Sequence, residues 1–245
     1  MRNSSRFDII RIFSFSIPLL MLAAISCSHK GSSLAEPLAK TYGIDSWGQI
    51  EGIRYTFNID IPILKASRTW EWNPKTNTVT YAAKDKDGKP MKVTYQRSQV
   101  SSESDVVKNQ IDPGFINDNY WFLLPFHVYW DSGANVQNKG MQALPLGGGS
   151  AGLLSVKYPS DIGYTPGDTW DLYVGNDGRI AEMTYHRGGP KKPSLVIASW
   201  EGYKHAGPLL VSTEHRGTAD GAPLHIFFSD VAYKLAGSDT WVNAQ

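Results

Sequence analysis

The sequence of 245 residues contains one cysteine, Cys27, which lies in an apolar stretch near the N-terminus. A chain with one cysteine forms no internal disulfide, so no covalent cross-link holds the fold together in an oxidising compartment. The stability of the folded chain must therefore come from a buried core. A hydrophobic fraction of 41% with 19% charged residues is ordinary for a globular protein with such a core.

The sequence also lacks an excess of charge of either sign. Its 24 lysine and arginine residues are balanced by 23 aspartate and glutamate residues, which gives a formal net charge of +1. Neither this balance nor the spread of the basic residues indicates a nucleic-acid interface. Aromatic residues, in contrast, are plentiful. The 8 tryptophans and 12 tyrosines suit the half-buried faces of a β-sheet.

The N-terminal apolar stretch is too short to cross a bilayer as a helix, which takes about 20 apolar residues. It covers residues 12–25, is interrupted by two serines and Pro18, and follows three arginines. A basic start followed by a short apolar run is typical of a secretory signal peptide.

Residues 24–27 read Ala-Ile-Ser-Cys and resemble the lipobox of bacterial lipoproteins, in which the cysteine is acylated and becomes the first mature residue. The resemblance implies a signal peptide over residues 1–26 and a lipid anchor on Cys27. The alternative is that Cys27 is an ordinary residue of the apolar stretch. Ser28 follows where an aspartate would resemble an inner-membrane retention signal. We therefore expect an outer-membrane anchor with the domain facing the periplasm.

The predicted organisation has three parts: residues 1–26 as the signal peptide, residues 27–41 as the lipidated cysteine and a short tether, and residues 42–245 as one domain. A short helix is predicted around residues 34–42. Strands with alternating polarity follow, separated by turn residues. They are predicted at residues 52–59, 67–72, 78–83, 91–97, 169–174, 179–186, 194–203, 208–216 and 223–233. This pattern favours an antiparallel meander.

One aromatic-rich segment, residues 111–131 (IDPGFINDNYWFLLPFHVYWD), interrupts the meander. Asp112 followed by Pro113 is typical of a helix start, and Pro125 disfavours helix for the residue before it. We expect three successive elements, a short helix, a strand and a glycine-rich loop, over residues 113–123, 126–131 and 132–152.

The last of these elements contains a possible nucleophile. Residues 148–152 satisfy the pattern G-x-S-x-G, centred on Ser150. A nucleophile elbow needs a strand before the serine and a helix after it, whereas a loop and a strand are predicted here. The favoured interpretation is a flexible loop. No Gly-Lys-Ser/Thr follows the glycines, so they do not form a phosphate-binding loop either.

Two histidines are predicted to face each other across a hairpin. If its turn is centred near Asp220, His215 and His225 lie opposite one another on neighbouring strands. Such a pair binds a metal when a third ligand is near, and otherwise packs across the strands on a solvated face. Glu214 would point to the other face, so packing is the simpler interpretation and no metal site is predicted.

A further candidate is a general acid/base set made of Asp118, His127 and Asp131. In the extended segment predicted here, His127 and Asp131 would not meet as they would on a helix. No spacing singles these residues out. The sequence therefore predicts neither catalytic residues nor a cofactor.

Residues 69–81, 111–131 and 227–233, together with the lipobox, resemble a family of bacterial outer-membrane lipoproteins with LolA/LolB-like, lipoprotein-carrier-like architecture. The most specific motif is Asn-Asp-x-Tyr-Trp followed by Leu-Leu-Pro-Phe, within residues 117–126. The resemblance implies a mainly β (α+β) fold, a curved antiparallel sheet or incomplete β-barrel with a short internal helical plug. Its understood members carry lipids or the acyl chains of lipoproteins, whereas an anchored chain is closer to an acceptor or a resident binding protein.

A curved sheet needs its concave face filled, and the aromatic segment is suited to fill it. The side chains expected to line an apolar ligand cavity there are Trp70, Trp72, Tyr120, Trp121, Phe122, Leu123, Leu124 and Phe126. The alternative is that they form a permanently closed core.

The leading functional hypothesis is a non-catalytic, membrane-anchored lipoprotein that binds a lipid, an acyl chain or another apolar ligand. One alternative is a hydrolase-type enzyme that acts at the cavity mouth. Another is a structural or interaction lipoprotein with a protein partner in the cell envelope.

Overall fold

The computed structural model describes residues 34–84, 88–131, 133–160, 166–189 and 194–245. The predicted signal peptide and Cys27 lie outside the described residues. The described part of the chain forms one curved antiparallel sheet, not closed into a barrel, and one long helix.

The helices of the described residues are α1 (Glu36–Thr41) and α2 (Asp112–Trp130), and a turn of π-helix, Val107–Ile111, leads directly into α2. Short 3₁₀ helices cover Ile44–Gln49 and Arg97–Ser102. The strands are β1 (Ile50–Ile61), β2 (Leu64–Asn73), β3 (Thr78–Lys84), β4 (Pro90–Gln96), β5 (Asn135–Ala143), β6 (Ser150–Lys157), β7 (Thr169–Val174), β8 (Ile180–His186), β9 (Leu195–Ser199), β10 (Lys204–Ala206), β11 (Leu209–Val211), β12 (Glu214–Ala219), β13 (Ala222–Leu235) and β14 (Val242–Asn243).

The strands lie side by side in the order β4-β3-β2-β1-β13-β12-β9-β8-β7-β6-β5, and β14 pairs with β13. Strands β10 and β11 form a separate hairpin. The first four strands meander outward from β1 to one edge, and α2 then leads to β5 at the other edge. From β5 the chain returns strand by strand towards the centre, where β13 pairs with β1. The predicted curved antiparallel sheet with an internal helix is confirmed.

Helix α2 fills the concave side of the sheet because it is apolar around most of its circumference. Phe122 stacks on Tyr55 of β1 with ring centroids 4.4 Å apart and contacts Phe228 of β13 at 4.8 Å. The neighbouring residue Trp121 points in another direction around α2 and packs against Trp170 of β7 at 5.4 Å. One helix thus joins both halves of the sheet into a single core.

The prediction that this helix ends near Pro125 and is followed by a strand is wrong. Helix α2 continues through Pro125 to Trp130, with a kink marked by the non-helical φ of −120° and ψ of 22° at Leu123. A proline inside a helix removes one backbone hydrogen bond and bends the axis. Ending the helix here would leave several backbone groups unpaired inside the core, which costs more than one lost bond.

The predicted glycine-rich loop at residues 132–152 is also different in the structure. Most of it forms the facing strands β5 and β6, in which Gln142 pairs with Ala151. The run of three glycines, residues 147–149, lies in the connecting turn, where Gly147 and Gly148 have φ values of 92° and 87°. Because side chains are strained at such angles, glycine there marks a tight turn rather than a mobile loop.

The predicted N-terminal helix is confirmed as α1, and it belongs to the packed domain. Leu38 and Ala39 are buried, as is Ala35 just before the helix. The folded part of the chain therefore begins before residue 42, within the segment that the sequence assigned to the tether. Among the described residues, no helix combines the length and apolarity needed to span a membrane.

Candidate ligand-binding site

A cavity of about 260 Å³ lies beside the middle of α2, between the two halves of the sheet. Its lining is Phe57, Ile59, Ile61, Leu64, Arg68, Asn117, Tyr120, Trp121, Asp168, Trp170, Tyr185, Arg187, Ser194, Val196, Ala219, Leu224 and Ile226. The β1–β2 and β12–β13 hairpins therefore stand on its rim, and α2 forms its floor.

The walls of this cavity are mostly aliphatic and aromatic, with a few polar groups among them. Pockets for small apolar ligands have this composition, and their usual volume is about 300–1,000 Å³. A volume of about 260 Å³ lies just below that range. The cavity therefore suits one narrow chain better than a lipid with several chains.

Two of the residues predicted to line a cavity, Tyr120 and Trp121, do so. The other six lie in the packed core around α2: Trp70, Trp72, Phe122, Leu123, Leu124 and Phe126. Trp70 and Trp72 contact Phe115 of α2 edge to face, with ring centroids 5.5 and 5.8 Å apart. Of the predicted residues, Tyr120 and Trp121 therefore lie at the cavity, and the other six belong to a closed core.

Several lining residues were missed in the sequence, although the alternation along the strands contained the signal. Phe57, Ile59 and Ile61 occupy successive inward-facing positions of β1 and all line the cavity. Val196 of β9 and Ile226 of β13 face it from the other half of the sheet. Their strands were predicted, but which strands face each other depends on the curvature of the whole sheet.

Arg68 is a charged group inside this largely apolar cavity, and it holds α2 to the sheet. Its Nε and Nη2 donate to Oδ2 and Oδ1 of Asp118 at 2.7 and 2.6 Å. The indole Nε1 of Trp70 donates to the same Oδ2 at 2.8 Å. The Arg68 guanidinium also lies 4.8 Å from the ring centroid of Phe57. The predicted alternation of residues 67–72 is confirmed, since Arg68 and Trp70 both face α2.

Burial raises the pKa of Asp118 above its ordinary value, although the hydrogen bonds and charge of Arg68 oppose this effect. The Asp118 side chain is 0% exposed, whereas that of Arg68 is 28% exposed. The two ends of this ion pair therefore differ: the cation reaches the cavity, and the carboxylate lies beneath it in the core.

His127 and Asp131 meet in the structure, contrary to the prediction made for an extended segment. Nδ1 of His127 lies 3.2 Å from both carboxylate oxygens of Asp131 because the helix continues through this region. Nε2 of His127 is 2.8 Å from Oδ1 of Asn119. The hydroxyl groups of Tyr120 and Tyr158 both donate to Asp131.

This set of side chains is arranged as a structural network. Burial raises the pKa of Asp131, but the hydrogen bonds and charge of His127, with the two tyrosine hydroxyls, outweigh it and hold the pKa below its ordinary value. Asp118, the third predicted member of an acid/base set, is engaged by Arg68 and Trp70 instead. The structure therefore does not bring Asp118, His127 and Asp131 together as one set.

His215 and His225 are not opposite each other. The hairpin turn consists of Asp220 and Gly221, with φ values of 50° and 82°, so His225 pairs with Arg216 and His215 pairs with Ile226. The predicted turn centre was half a residue too early. Because successive strand residues point to opposite faces, this small shift places the two histidines on opposite sides of the sheet.

The two histidines consequently have different surroundings. His225 lies on the outer face, where its Nε2 is 2.7 Å from Oε2 of Glu214. The prediction that Glu214 points to the face opposite His215 is confirmed, and the shifted register places His225 on that same face. His215 is fully buried against Trp200, at a ring distance of 4.1 Å. Burial lowers the pKa of His215 to about 3, so this imidazole is neutral.

Ser150 is exposed and opens β6, so the strand-turn-helix geometry of a nucleophile elbow is absent at this position. Within the described ranges, no group of three or more histidine, cysteine, aspartate or glutamate residues is arranged to hold a metal ion.

No protein-family model matches the sequence, and no curated protein is a significant match. Solved structures do resemble the fold. A DUF1329 family protein from Desulfovibrio piger is 9% identical, with 84% of this chain and 93% of that chain covered and a TM-score of 0.45. A "putative outer membrane lipoprotein-sorting protein domain" from Vibrio parahaemolyticus is 10% identical, with 85% and 94% covered and a TM-score of 0.46.

A third similar structure is the lipoprotein LppX from Mycobacterium tuberculosis, at 11% identity, 82% and 96% coverage and a TM-score of 0.29. Two of the three descriptions name lipoproteins or their sorting. Identities near 10% with TM-scores below 0.5 leave the function to be inferred from the chain's own geometry.

Proposed function

We propose that this protein is a non-catalytic lipoprotein of the bacterial outer membrane, anchored through Cys27, that binds an apolar ligand on the concave side of its sheet. The ligand is a lipid, an acyl chain or another molecule with one narrow apolar chain. The domain faces the periplasm.

The observation that supports this proposal most directly is the cavity beside Trp121. A fully closed core would have packed this space, because protein interiors contain few voids larger than a water molecule. Here about 260 Å³ remains between apolar walls, and it opens between two hairpins rather than being sealed. The resemblance of residues 24–27 to a lipobox supports a membrane location, where apolar chains are available as ligands.

The hydrolase alternative has no support in the described residues, because Ser150 lies in an exposed hairpin and the His127–Asp131 pair is used within α2. A purely structural role does not account for an apolar cavity that is open between two hairpins. Ligand binding accounts for both the open space and its apolar lining.

Two variants with the same substitution test the proposal in a protein expressed from residue 28 to residue 245, without the predicted signal peptide and Cys27 and therefore without a lipid of its own. Ala219 lines the cavity, and Ala143 is exposed at the end of β5. We expect Ala219→Phe to fill the cavity and weaken binding of decanol by at least about tenfold, which corresponds to about 1.4 kcal/mol. Ala143→Phe should bind decanol as the parent does.

Native mass spectrometry of the parent should in addition show a co-purified apolar molecule. A parent protein that carries no such molecule and does not bind decanol in a calorimetric titration would overturn the proposal.

A further inference from the structure

We propose that the ligand is an amphiphile with an anionic headgroup, and that this headgroup binds Arg68 in exchange for Asp118, which takes up one proton. The proposal rests on the proposed ligand-binding function and specifies its ligand class. It predicts that binding of the anion and binding of a proton are coupled.

The first argument is the position of Arg68 in the cavity. A guanidinium has five N–H donors, and Asp118 engages Nε and one donor of Nη2. The Arg68 side chain is 28% exposed while that of Asp118 is 0% exposed. A ligand that enters the cavity therefore reaches the cation first and does not reach its carboxylate partner.

The second argument is the chemistry of the anion. Arginine is suited to carboxylate, phosphate and sulfonate groups because its planar fork donates two parallel hydrogen bonds. Apolar side chains such as Phe57, Ile59 and Leu64 continue from Arg68 towards the rim. An amphiphile would thus place its headgroup at Arg68 and its chain along this apolar wall.

The third argument is what happens to Asp118 when Arg68 turns to a ligand. The groups that face Asp118 are Arg68 and Trp70 of β2, Tyr55 of β1, Tyr81 of β3, and Asn117 of its own helix. Of these, Arg68 carries the charge at neutral pH. Without it, a buried carboxylate would be left among neutral neighbours, which is costly, and such a group takes up a proton instead.

The exchange conserves charge. Before binding, the positive Arg68 is paired with the negative Asp118; afterwards it is paired with the ligand anion, and Asp118 is a neutral carboxylic acid. Burial already raises the pKa of Asp118 with Arg68 in place, so the proton is taken up at a smaller cost than by an exposed aspartate.

A second arginine at the cavity offers a competing position. Arg187 is exposed and lines the opposite wall near Asp168, whose carboxylate accepts from the Tyr185 hydroxyl at 2.7 Å and from the Gly188 amide at 2.8 Å. A headgroup bound at Arg187 would leave Asp118 unchanged. The two positions are therefore distinguished by whether a proton is taken up.

The experiment compares three probes by calorimetric titration of the same protein of residues 28–245. Decanesulfonate stays ionised between about pH 5 and pH 8, decanol has the same chain without a charge, and methanesulfonate has the anion without the chain. We expect affinity for decanesulfonate to rise by up to about tenfold for each pH unit lowered, the limit for uptake of one proton. Decanol binding should not change with pH, and methanesulfonate should not bind measurably.

Three variants locate the effect. Asp118→Asn should bind decanesulfonate at least about tenfold more tightly than the parent at pH 8, with no dependence on pH. The double variant Arg68→Met/Asp118→Asn, which leaves no unpaired buried charge, should lose its preference for decanesulfonate over decanol. The matched control is Asp112→Asn, since Asp112 pairs with Arg97 at 2.9 Å at the start of α2 and does not line the cavity.

The outcomes separate this inference from the proposed function. Binding of decanol and decanesulfonate with equal affinity at every pH would overturn the anion exchange and leave apolar-ligand binding intact. A preference for decanesulfonate that is lost in Arg187→Met and kept in the double variant would overturn it in favour of Arg187. Binding of methanesulfonate as tightly as decanesulfonate would show a site for free anions rather than for an amphiphile. Failure of the parent to bind any probe would overturn both proposals.

Discussion

The rings of Tyr120 and His127 are stacked, with centroids 3.9 Å apart and planes inclined by 12°, although the residues are seven positions apart along α2. Seven residues of a straight α-helix advance by about 10.5 Å, so side chains this far apart do not normally touch face to face. The helix is kinked at Leu123, between these two residues, so the spacing of a straight helix does not apply to them.

The same bend lets the residues before and after Pro125 share hydrogen bonds. Asn119 and Tyr120 on one side of the kink contact His127 and Asp131 on the other. The network thus fixes the angle of the helix at the place where proline has removed a backbone bond.

Asp131→Asn should destabilise the fold by about 1–3 kcal/mol, because the variant weakens three hydrogen bonds to a largely buried acceptor. Urea denaturation at neutral pH measures the difference in the free energy of unfolding. Asp105→Asn is the matched control, since the Asp105 side chain is 86% exposed and makes one surface ion pair with Lys108. Equal effects of the two substitutions would contradict a role for Asp131 in holding the kink.

The stability of the fold should decrease as the pH falls from about 6.5 towards 3. In this pH range His215 is protonated in the unfolded chain, whereas in the folded chain, where its pKa is about 3, it stays neutral. The contribution of this one group reaches about 1.4 kcal/mol per pH unit. Urea denaturation of the parent and of His215→Leu at several pH values gives the two slopes, and the variant should have the shallower one. His205→Leu, a change at an exposed histidine, should keep the slope of the parent.

Gly217→Ala should destabilise the fold by about 3 kcal/mol or more, because overpacking at a rigid backbone contact leaves no room for relaxation. A Cβ at this position would overlap the carbonyl oxygen of Ile197 and lie 2.8 Å from Cα of Ala198, on the neighbouring strand β9. Thermal unfolding monitored by circular dichroism measures the loss. Gly48→Ala is the control, since nothing lies within 4 Å of a Cβ added there; a loss as large in Gly48→Ala would argue against the backbone contact as the cause.

Cys27→Ala should move the protein from the membrane fraction to the soluble fraction, because the predicted anchor depends on acylation of that thiol. Fractionation of cells followed by mass spectrometry of the N-terminal peptide measures both the location and the lipid. Ser28→Ala should remain membrane-bound and lipidated. Retention of the Cys27→Ala protein in the membrane fraction would show that another feature holds it there.

Local pattern in the sequence was sufficient for most of the strands. Residues 169–174 were predicted as a strand with the bounds that β7 has, and the face of β2 that carries Arg68 and Trp70 followed from alternation alone. These properties depend on neighbouring residues, whose side chains point to opposite faces in any strand. The antiparallel meander followed from the number and spacing of the strands, whereas the curvature of the sheet around an internal helix was implied by the resemblance to LolA/LolB-like lipoproteins.

Long-range packing decided the rest. Pro125 ends a helix in water, yet in the core the helix continues because its other backbone groups have no better partners. The centre of the Asp220–Gly221 turn lies half a residue later than predicted, and this shift in register places His215 inside and His225 outside. The local sequence does not indicate the register of the two strands to that precision. The cavity itself is formed by side chains from α2 and from seven strands that are distant in sequence. Its size therefore depends on how the whole sheet curves around the helix. The same curvature places Arg68 between a buried carboxylate and an open apolar space.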